Sequence, residues 1–324
     1  MKDFSHEDVI AALCGSKSKS EPEEASEVKE HNHTEQAPIK WSSAPSALVG
    51  TLYDFQYLNL IAVWRKYCQG QGCNVTVIDS GIDLTHPAFA HTKILRSSTL
   101  GDGADENGHG TWVAGKIVGQ GVGIAPRCNL TSIQVLDANG SGSVEASTKA
   151  LYRCEDADLV NMSLGSPFRS KAQEKAINEL AAEGVIVVAA AGNYDTDTPF
   201  YPGSFDNCLT VAATDARRSK AEFSNFGGQV DIAAPGVACY STYLGKQFRQ
   251  LSGTSMATPI VTGLLALGVS YLKSTRKLNR KERAKLLLKC LEETARDVGP
   301  KGKDPVFGFG CLDALTFMNK LGNL

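Results

Sequence analysis

The chain has 324 residues, of which 42% are hydrophobic and 21% charged, a composition that excludes a collagen-like, fully disordered or disulfide-dense small protein. Its 33 Lys and Arg against 35 Asp and Glu give a formal charge of -2, so no whole-chain field attracts nucleic acid or an acidic membrane. No stretch is long and uninterrupted enough to cross a bilayer. We therefore predict a globular, monomeric protein with neither a nucleic-acid nor a membrane partner.

Residues 1–48 differ in composition from the rest of the chain. They hold five Lys and nine Asp or Glu, and most of the segment lacks large apolar side chains. Such a segment cannot bury enough surface to offset its chain entropy. We predict an acidic, disordered tail over residues 1–48 and one folded domain over residues 49–324.

The amino end and the cysteines both bear on cellular location. The first apolar run, residues 9–14, follows acidic residues, whereas an export signal has a basic flank and a longer apolar core. Because no export signal is visible, we expect the nine cysteines, an odd number, to be mostly free thiols in a reducing compartment. These two features predict a cytoplasmic protein.

Beyond residue 49, short apolar runs alternate with segments of helical periodicity. The runs are nearly continuously apolar, as strands covered on both faces require. Predicted strands cover residues 74–78, 130–136, 158–163, 185–190 and 209–213, with shorter ones at 230–234, 238–243 and 247–251. Predicted helices cover residues 112–118, 143–156, 170–183 and 279–294, and another begins near residue 254. This order predicts a three-layer α/β fold with a mostly parallel central sheet and helices on both faces.

Three polar residues stand where such a sheet carries its chemistry, at strand ends and helix starts. Asp79 ends the first strand, His109 lies between glycines before a predicted helix, and Ser255 stands at the start of another. An imidazole can take the proton of a serine hydroxyl, and a carboxylate can hold the imidazole. Taken alone, two of them have structural alternatives, Asp79 as a turn cap and Ser255 as a helix N-cap.

The three residues lie in the motifs VIDSGID, GHGTWVAG and GTSMATP, in the order Asp, His, Ser. Motifs and order closely resemble those of the subtilisin-like serine proteases (subtilases), from about residue 74 to 263. The resemblance implies a serine endopeptidase acting on peptides or proteins, with no cofactor required for catalysis. Ser255 would be the nucleophile, His109 the general base and then acid, and Asp79 the group that holds the imidazole tautomer. Asn193 would be the oxyanion-hole amide, with a left-handed loop asparagine as its structural alternative.

The resemblance also implies that a substrate peptide binds as an added strand between two backbone edges. The edges and the wall of the specificity pocket consist of glycine and small or apolar residues: Gly140, Ser141 and Gly142; Ser163, Leu164 and Gly165; Ala189, Ala190, Ala191 and Gly192. The small side chains from 189 to 192 leave room for a large apolar or aromatic residue before the scissile bond. Asp195, at the rim, keeps a preference for basic residues open.

The chain departs from the family pattern at several positions. Trp112 and Ile260 stand where histidines are usual, which bears on pocket shape and not on the triad. The segment 119–126 is shorter than the tight calcium loop of calcium-stabilised subtilisins. Asp231 matches a weaker cation site of relatives, which predicts a structural calcium, with a buried structural aspartate as the alternative.

Other classes of function fit the residues less well. GTWVAGK has P-loop spacing but lacks the required Ser or Thr and a preceding strand. The eight Lys and Arg between residues 273 and 289 suit a solvated helix face better than a nucleic-acid contact. The main rival is an inactive subtilase fold that acts as a binding module, against which stands the presence of all four catalytic positions.

Overall fold

The computed structural model describes residues 52–324, so the predicted tail over residues 1–48 lies outside the described residues and stays a prediction. Within this range the helices are α1 Tyr53–Tyr57, α2 Leu60–Lys66, α3 His109–Val118, α4 Val144–Leu151, α5 Lys171–Ala182, α6 Thr254–Thr275, α7 Arg280–Thr294 and α8 Ala314–Gly322. The strands are β1 Asn74–Asp79, β2 Ile94–Ser98, β3 Asn129–Gln134, β4 Leu159–Met162, β5 Ile186–Ala190, β6 Cys208–Thr214, β7 Ile232–Pro235, β8 Cys239–Tyr243 and β9 Gln247–Leu251.

Seven strands form one parallel sheet in the order β2-β3-β1-β4-β5-β6-β7. At its centre, Val75 of β1 is in register with Leu130 of β3 on one side and Leu159 of β4 on the other. β8 and β9 form a separate antiparallel hairpin. The parallel sheet with helices around it confirms the predicted α/β fold.

Side chains of β1 alternate between two cores. Val75 and Val77 belong to the core that also contains residues of α3 and α6, whereas Ile78 packs with residues of α4 and α5. Because both faces of the sheet are covered, its inner strands contain few exposed positions and read as continuous apolar runs. The seven strands of this sheet point the same way, so their carboxyl ends meet at one edge of the sheet.

The structure differs from the predicted elements in places where the apolar signal is weak. β2 was not predicted, since this edge strand has the mixed sequence ILRSS and an exposed Leu95. The helices α1, α2 and α8 were also not predicted. α4 ends at Leu151, several residues before the predicted end, and α3 begins at His109 rather than at residue 112.

The helix α6 runs through the centre of the molecule. Contrary to the expectation from the sequence, this helix is long and apolar enough to cross a membrane, but 94% of its most apolar window is buried inside the protein. Its apolar side chains pack against α3 and several strands of the sheet. Burial of this kind is typical of the core helix of a globular protein.

The start of the described chain is joined to α3 by a buried ion pair. Nζ of Lys116 lies 2.6 Å from Oδ2 of Asp54 in α1, and the two side chains are 0% and 2% exposed. The ammonium also lies 5.7 Å from the ring centroids of both Phe55 and Trp112. Since Lys116 follows His109 by two helical turns, this pair ties α1 to the helix that begins at the histidine.

We expect Asp54→Ala to destabilise the protein by about 3–5 kcal/mol, because it leaves the Lys116 ammonium buried without a counter-charge. The double variant Asp54→Leu/Lys116→Met should be as stable as wild type, since both charges are removed together. Denaturant unfolding measures both values. Glu145→Ala, which breaks the exposed pair with Lys149, is the control and should not move the unfolding midpoint. A similarly small effect of Asp54→Ala would contradict the importance of the buried pair.

Candidate active site

The carboxyl end of β1 and the first residue of α3 bring a carboxylate and an imidazole together. Oδ1 of Asp79 lies 2.8 Å from Nδ1 of His109 and also accepts a hydrogen bond from the backbone N of Ser80 at 2.7 Å. Asp79 is fully buried and His109 is 6% exposed, so both members of the pair are shielded from water. Nε2 of the ring has no hydrogen-bond partner among residues 52–324.

A second buried carboxylate, Asp105, shapes the turn that leads into α3. Its oxygens accept hydrogen bonds from the backbone N of Gly108 and from both the N and the Oγ1 of Thr111, at 2.6 to 2.9 Å. It also accepts from Oγ of Ser80, which in turn accepts from the N of Gly110. Amide groups at a helix start lack intrahelical acceptors, and here the Asp105 carboxylate supplies the missing acceptors. Asp105 lies four residues before the histidine, but no local sequence pattern indicates its role.

The hairpin of β8 and β9 covers the same helix start from outside. Oγ of Ser241 and Oγ1 of Thr242 donate to the carbonyls of Trp112 and Thr111, at 2.8 and 2.7 Å. Nε1 of Trp112 donates to the carbonyl of Arg249 at 2.9 Å, and the indole is fully buried. Trp112, which stands where the family usually has a histidine, therefore packs α3 against the hairpin.

Ser255 is the second residue of α6, and its local contacts follow from a proline four residues later. Pro259 lacks the N–H that would bond to the carbonyl of Ser255. Oγ of Ser163 donates to that carbonyl instead, at 2.9 Å, and Oγ of Ser255 donates to the carbonyl of Ser163 at 2.9 Å. This reciprocal pair holds the start of α6 at the end of β4, with the Ser255 hydroxyl directed to Ser163 and not to His109.

Asn193 follows the end of β5 and faces the start of α6. Its Oδ1 accepts hydrogen bonds from both the N and the Oγ1 of Thr254, each at 2.8 Å. Thr254 thus fixes which end of the amide faces the helix, and Nδ2 lies on the other side, close to Gly253. The sequence pointed to Asn193 but not to Thr254, which stands beside the serine in the motif GTS.

The surroundings of His109 shift its proton affinity. Burial disfavours the charged imidazolium, but the adjacent Asp79 carboxylate and its hydrogen bond outweigh this, with a smaller contribution from Asp105, and raise the pKa of His109 above its ordinary value. The hydrogen bond to Asp79 uses Nδ1–H as donor in the neutral ring. The arrangement therefore favours the tautomer in which Nε2 carries a free lone pair.

Phe200 lies between Gly165 of one predicted substrate edge and Gly192 of the predicted pocket wall. A Cβ atom on Gly165 would lie 2.5 Å from Cε1 of this ring, and one on Gly192 would lie 3.2 Å from its Cγ. Leu164 and Ala189 belong to the same buried cluster as Phe200, and Ala190, Ala191 and Gly192 are also buried. The other predicted substrate edge, Gly140 to Gly142, forms a turn stabilised by the Asp137 carboxylate. Phe200 lies outside every motif, so no local sequence pattern pointed to this residue.

The charge at the rim of this region is neutralised. Nζ of Lys220 lies 2.6 Å from Oδ1 of Asp195, whose side chain is 61% exposed. Tyr194, beside it, is exposed and lies 5.7 Å from the Phe200 ring, centroid to centroid. The ion pair reduces the attraction that Asp195 alone would exert on a basic substrate residue.

The predicted cation site at Asp231 is already occupied by protein groups. Oδ1 of Asp231 lies 3.0 Å from Nζ of Lys303, and Oδ2 accepts from the N of Thr210 at 2.9 Å. No cluster of three or more His, Cys, Asp or Glu suited to a metal occurs within residues 52–324. One carboxylate paired with an ammonium does not fit a hard dication, which requires several oxygen ligands.

A parallel α/β sheet with a buried Asp–His pair at one strand end and a serine at the start of a neighbouring helix is typical of serine hydrolases. The subtilase family model matches residues 70–310. The chain is 42% identical over 215 residues to M-protease of Shouchella clausii (strain KSM-K16), which is 64% of this chain and 56% of that protein. It is 42% identical to Subtilisin Savinase of Lederbergia lenta, over 64% of this chain and 79% of the relative. The chain therefore belongs to the subtilase family, a family of serine endopeptidases.

These relatives contradict the predicted cytoplasmic location. Besides subtilisins and alkaline proteases, they include the minor extracellular protease Epr of Bacillus subtilis (strain 168), 32% identical over 80% of this chain and 40% of Epr. The prediction rested on the amino end and on free thiols, neither of which is specific to location. The eight cysteines within residues 52–324 are free, but seven are buried, and burial raises the pKa of Cys128 and Cys154 to about 12.

The chain spans about half the length of M-protease.

Proposed function

We propose that the chain is an active serine endopeptidase in which Asp79, His109 and Ser255 form the triad and Asn193 contributes to the oxyanion hole. The buried hydrogen bond between Asp79 and Nδ1 of His109 carries this proposal. It leaves Nε2, unpaired among residues 52–324, as the nitrogen that accepts a proton. The substrates are peptides or proteins, as for the family.

In the first step, the Ser255 hydroxyl leaves the carbonyl of Ser163 by rotation about its Cα–Cβ bond and turns to Nε2 of His109. The exchanged hydrogen bond is a neutral one with a net stability of about 1 kcal/mol, so the rotation is a minor part of the barrier. The oxygen then attacks the carbonyl carbon of the scissile bond while its proton passes to Nε2. Asp79 stabilises the imidazolium that results.

In the second step, the former carbonyl oxygen carries the negative charge. Because Thr254 holds Oδ1 of Asn193, Nδ2 is the atom available to donate to the oxyanion. The backbone N–H of Ser255, in the first turn of α6, lacks an intrahelical acceptor and is a second donor. The C–N bond breaks, His109 returns its proton to the leaving amine, and water releases the acyl group by the same sequence.

We expect Ser255→Ala to reduce kcat about 10⁶-fold, the loss known for removal of the nucleophile in subtilisin, because no other hydroxyl can replace it. Hydrolysis of a peptide library measures this loss, and a fluorophosphonate probe should label wild type but not the variant. Ser274→Ala, which removes an exposed hydroxyl near the other end of α6, is the matched control and should keep full activity. A folded wild-type chain that neither cleaves peptides nor reacts with the probe would favour the binding module instead.

We further propose that an apolar residue precedes the scissile bond and that Phe200 limits its size. The buried, uncharged surroundings of residues 189–192 support an apolar preference, and the Asp195–Lys220 pair weakens the case for a basic one. The Phe200 ring, between Gly165 and Gly192, takes up space that the sequence alone assigned to a large substrate side chain. This pocket would favour small or medium apolar residues over aromatic ones.

Phe200→Ala should therefore raise the ratio of kcat/KM for substrates with Phe before the scissile bond to those with Ala, by at least about tenfold, because it enlarges the pocket. Paired peptides that differ only at this residue measure the ratio. Phe205→Ala removes a buried aromatic side chain close by and should leave the ratio unchanged. If Phe200→Ala had no more effect than Phe205→Ala, Phe200 would not limit the pocket.

A further inference from the structure

The side chain of Asn225 lies behind the segment that carries Asn193. Asn225 is fully buried, and its backbone N donates to the carbonyl of Gly192 at 2.9 Å. Its Oδ1 accepts from the backbone N of Tyr194 at 2.8 Å. One residue thus holds the chain immediately before and immediately after the oxyanion-hole asparagine.

The packing between Asn225 and Gly192 is equally close. Gly192 has φ +107, and a Cβ atom at this position would collide with Nδ2 of Asn225. Nδ2 itself has no hydrogen-bond partner within residues 52–324. A buried donor without a partner is unfavourable for stability, so stability alone does not explain an amide here. The amide contributes the bond from the backbone N of Tyr194 to Oδ1, which fixes the chain after Asn193, whereas the bond to Gly192 comes from the backbone of Asn225.

Asn193 is consequently held from two sides. Thr254 binds its side-chain oxygen, and Asn225 sets the direction of the backbone from which the side chain projects. An oxyanion-hole donor must lie about 2.7–3.1 Å from the developing charge, so a small rotation of this backbone would remove the contact. We propose that Asn225 is a positioning residue that acts through Asn193 on the transition state. This inference rests on the proposed peptidase function.

A double-mutant cycle tests the proposal. Asn225→Ala should lower kcat about tenfold or more and leave KM within about twofold, because a contact made only in the transition state is lost. In an Asn193→Ala background, which itself should cost about 10²–10³ in kcat, Asn225→Ala should have no further effect. If both variants lower kcat independently, so that their effects multiply, Asn225 does not act through Asn193 and the proposal is wrong.

Two further variants keep the result interpretable. Gln173→Ala removes a buried amide of α5, bonded to Ser147 of α4 on the sheet face opposite α3 and α6, and should reduce stability without changing kcat. If Asn225→Ala does not fold, Asn225→Ser replaces it in the same cycle, and thermal unfolding checks each variant. An inactive wild-type chain would overturn the proposed function and this inference together, whereas an active chain with an additive cycle would overturn this inference alone.

Discussion

The hydrogen bond between Asp79 and Nδ1 of His109 joins the end of the inner strand β1 to the start of α3, and the orientation of the imidazole depends on it. Both side chains are buried, so the bond acts in surroundings of low polarity where charge and direction have large effects. It selects one tautomer of the ring and raises the pKa of His109 despite burial. The sheet and α3 must be packed correctly for the bond to form at all.

Much of the surrounding structure serves to hold that helix start in place. Asp105 supplies acceptors for its free amides, the β8–β9 hairpin contacts its backbone carbonyls, and Lys116 ties its far half to α1. The other half of the site has a corresponding constraint at Pro259, whose missing N–H leaves the Ser255 carbonyl to Ser163. Rigid elements on both sides therefore bring the proposed nucleophile and base to one edge of the sheet.

The sequence was sufficient where a strong local pattern coincides with a buried element. Continuous apolar runs predicted the inner strands, and Asp79 lies at a strand end as expected. β2 was missed because an edge strand exposes polar side chains, and α1 because its burial depends on a partner, Lys116, far along the chain. The proposed roles of Phe200 and Asn225 depend on contacts with glycines that no local motif records. Such residues become evident only when the tertiary structure shows which backbone they touch.

The hydrogen bond between Asp79 and Nδ1 of His109 is tested by nuclear magnetic resonance of the His109 ring. The experiment uses ¹⁵N-labelled histidine, and His109→Gln assigns the signals. We expect a neutral ring protonated at Nδ1, hydrogen-bonded to Asp79, which takes up its second proton with a pKa above the ordinary value of about 6.5. In Asp79→Ala the pKa should fall, because burial then acts without the carboxylate. A ring protonated at Nε2, or an unchanged pKa in Asp79→Ala, would contradict the hydrogen bond between Asp79 and Nδ1 of His109.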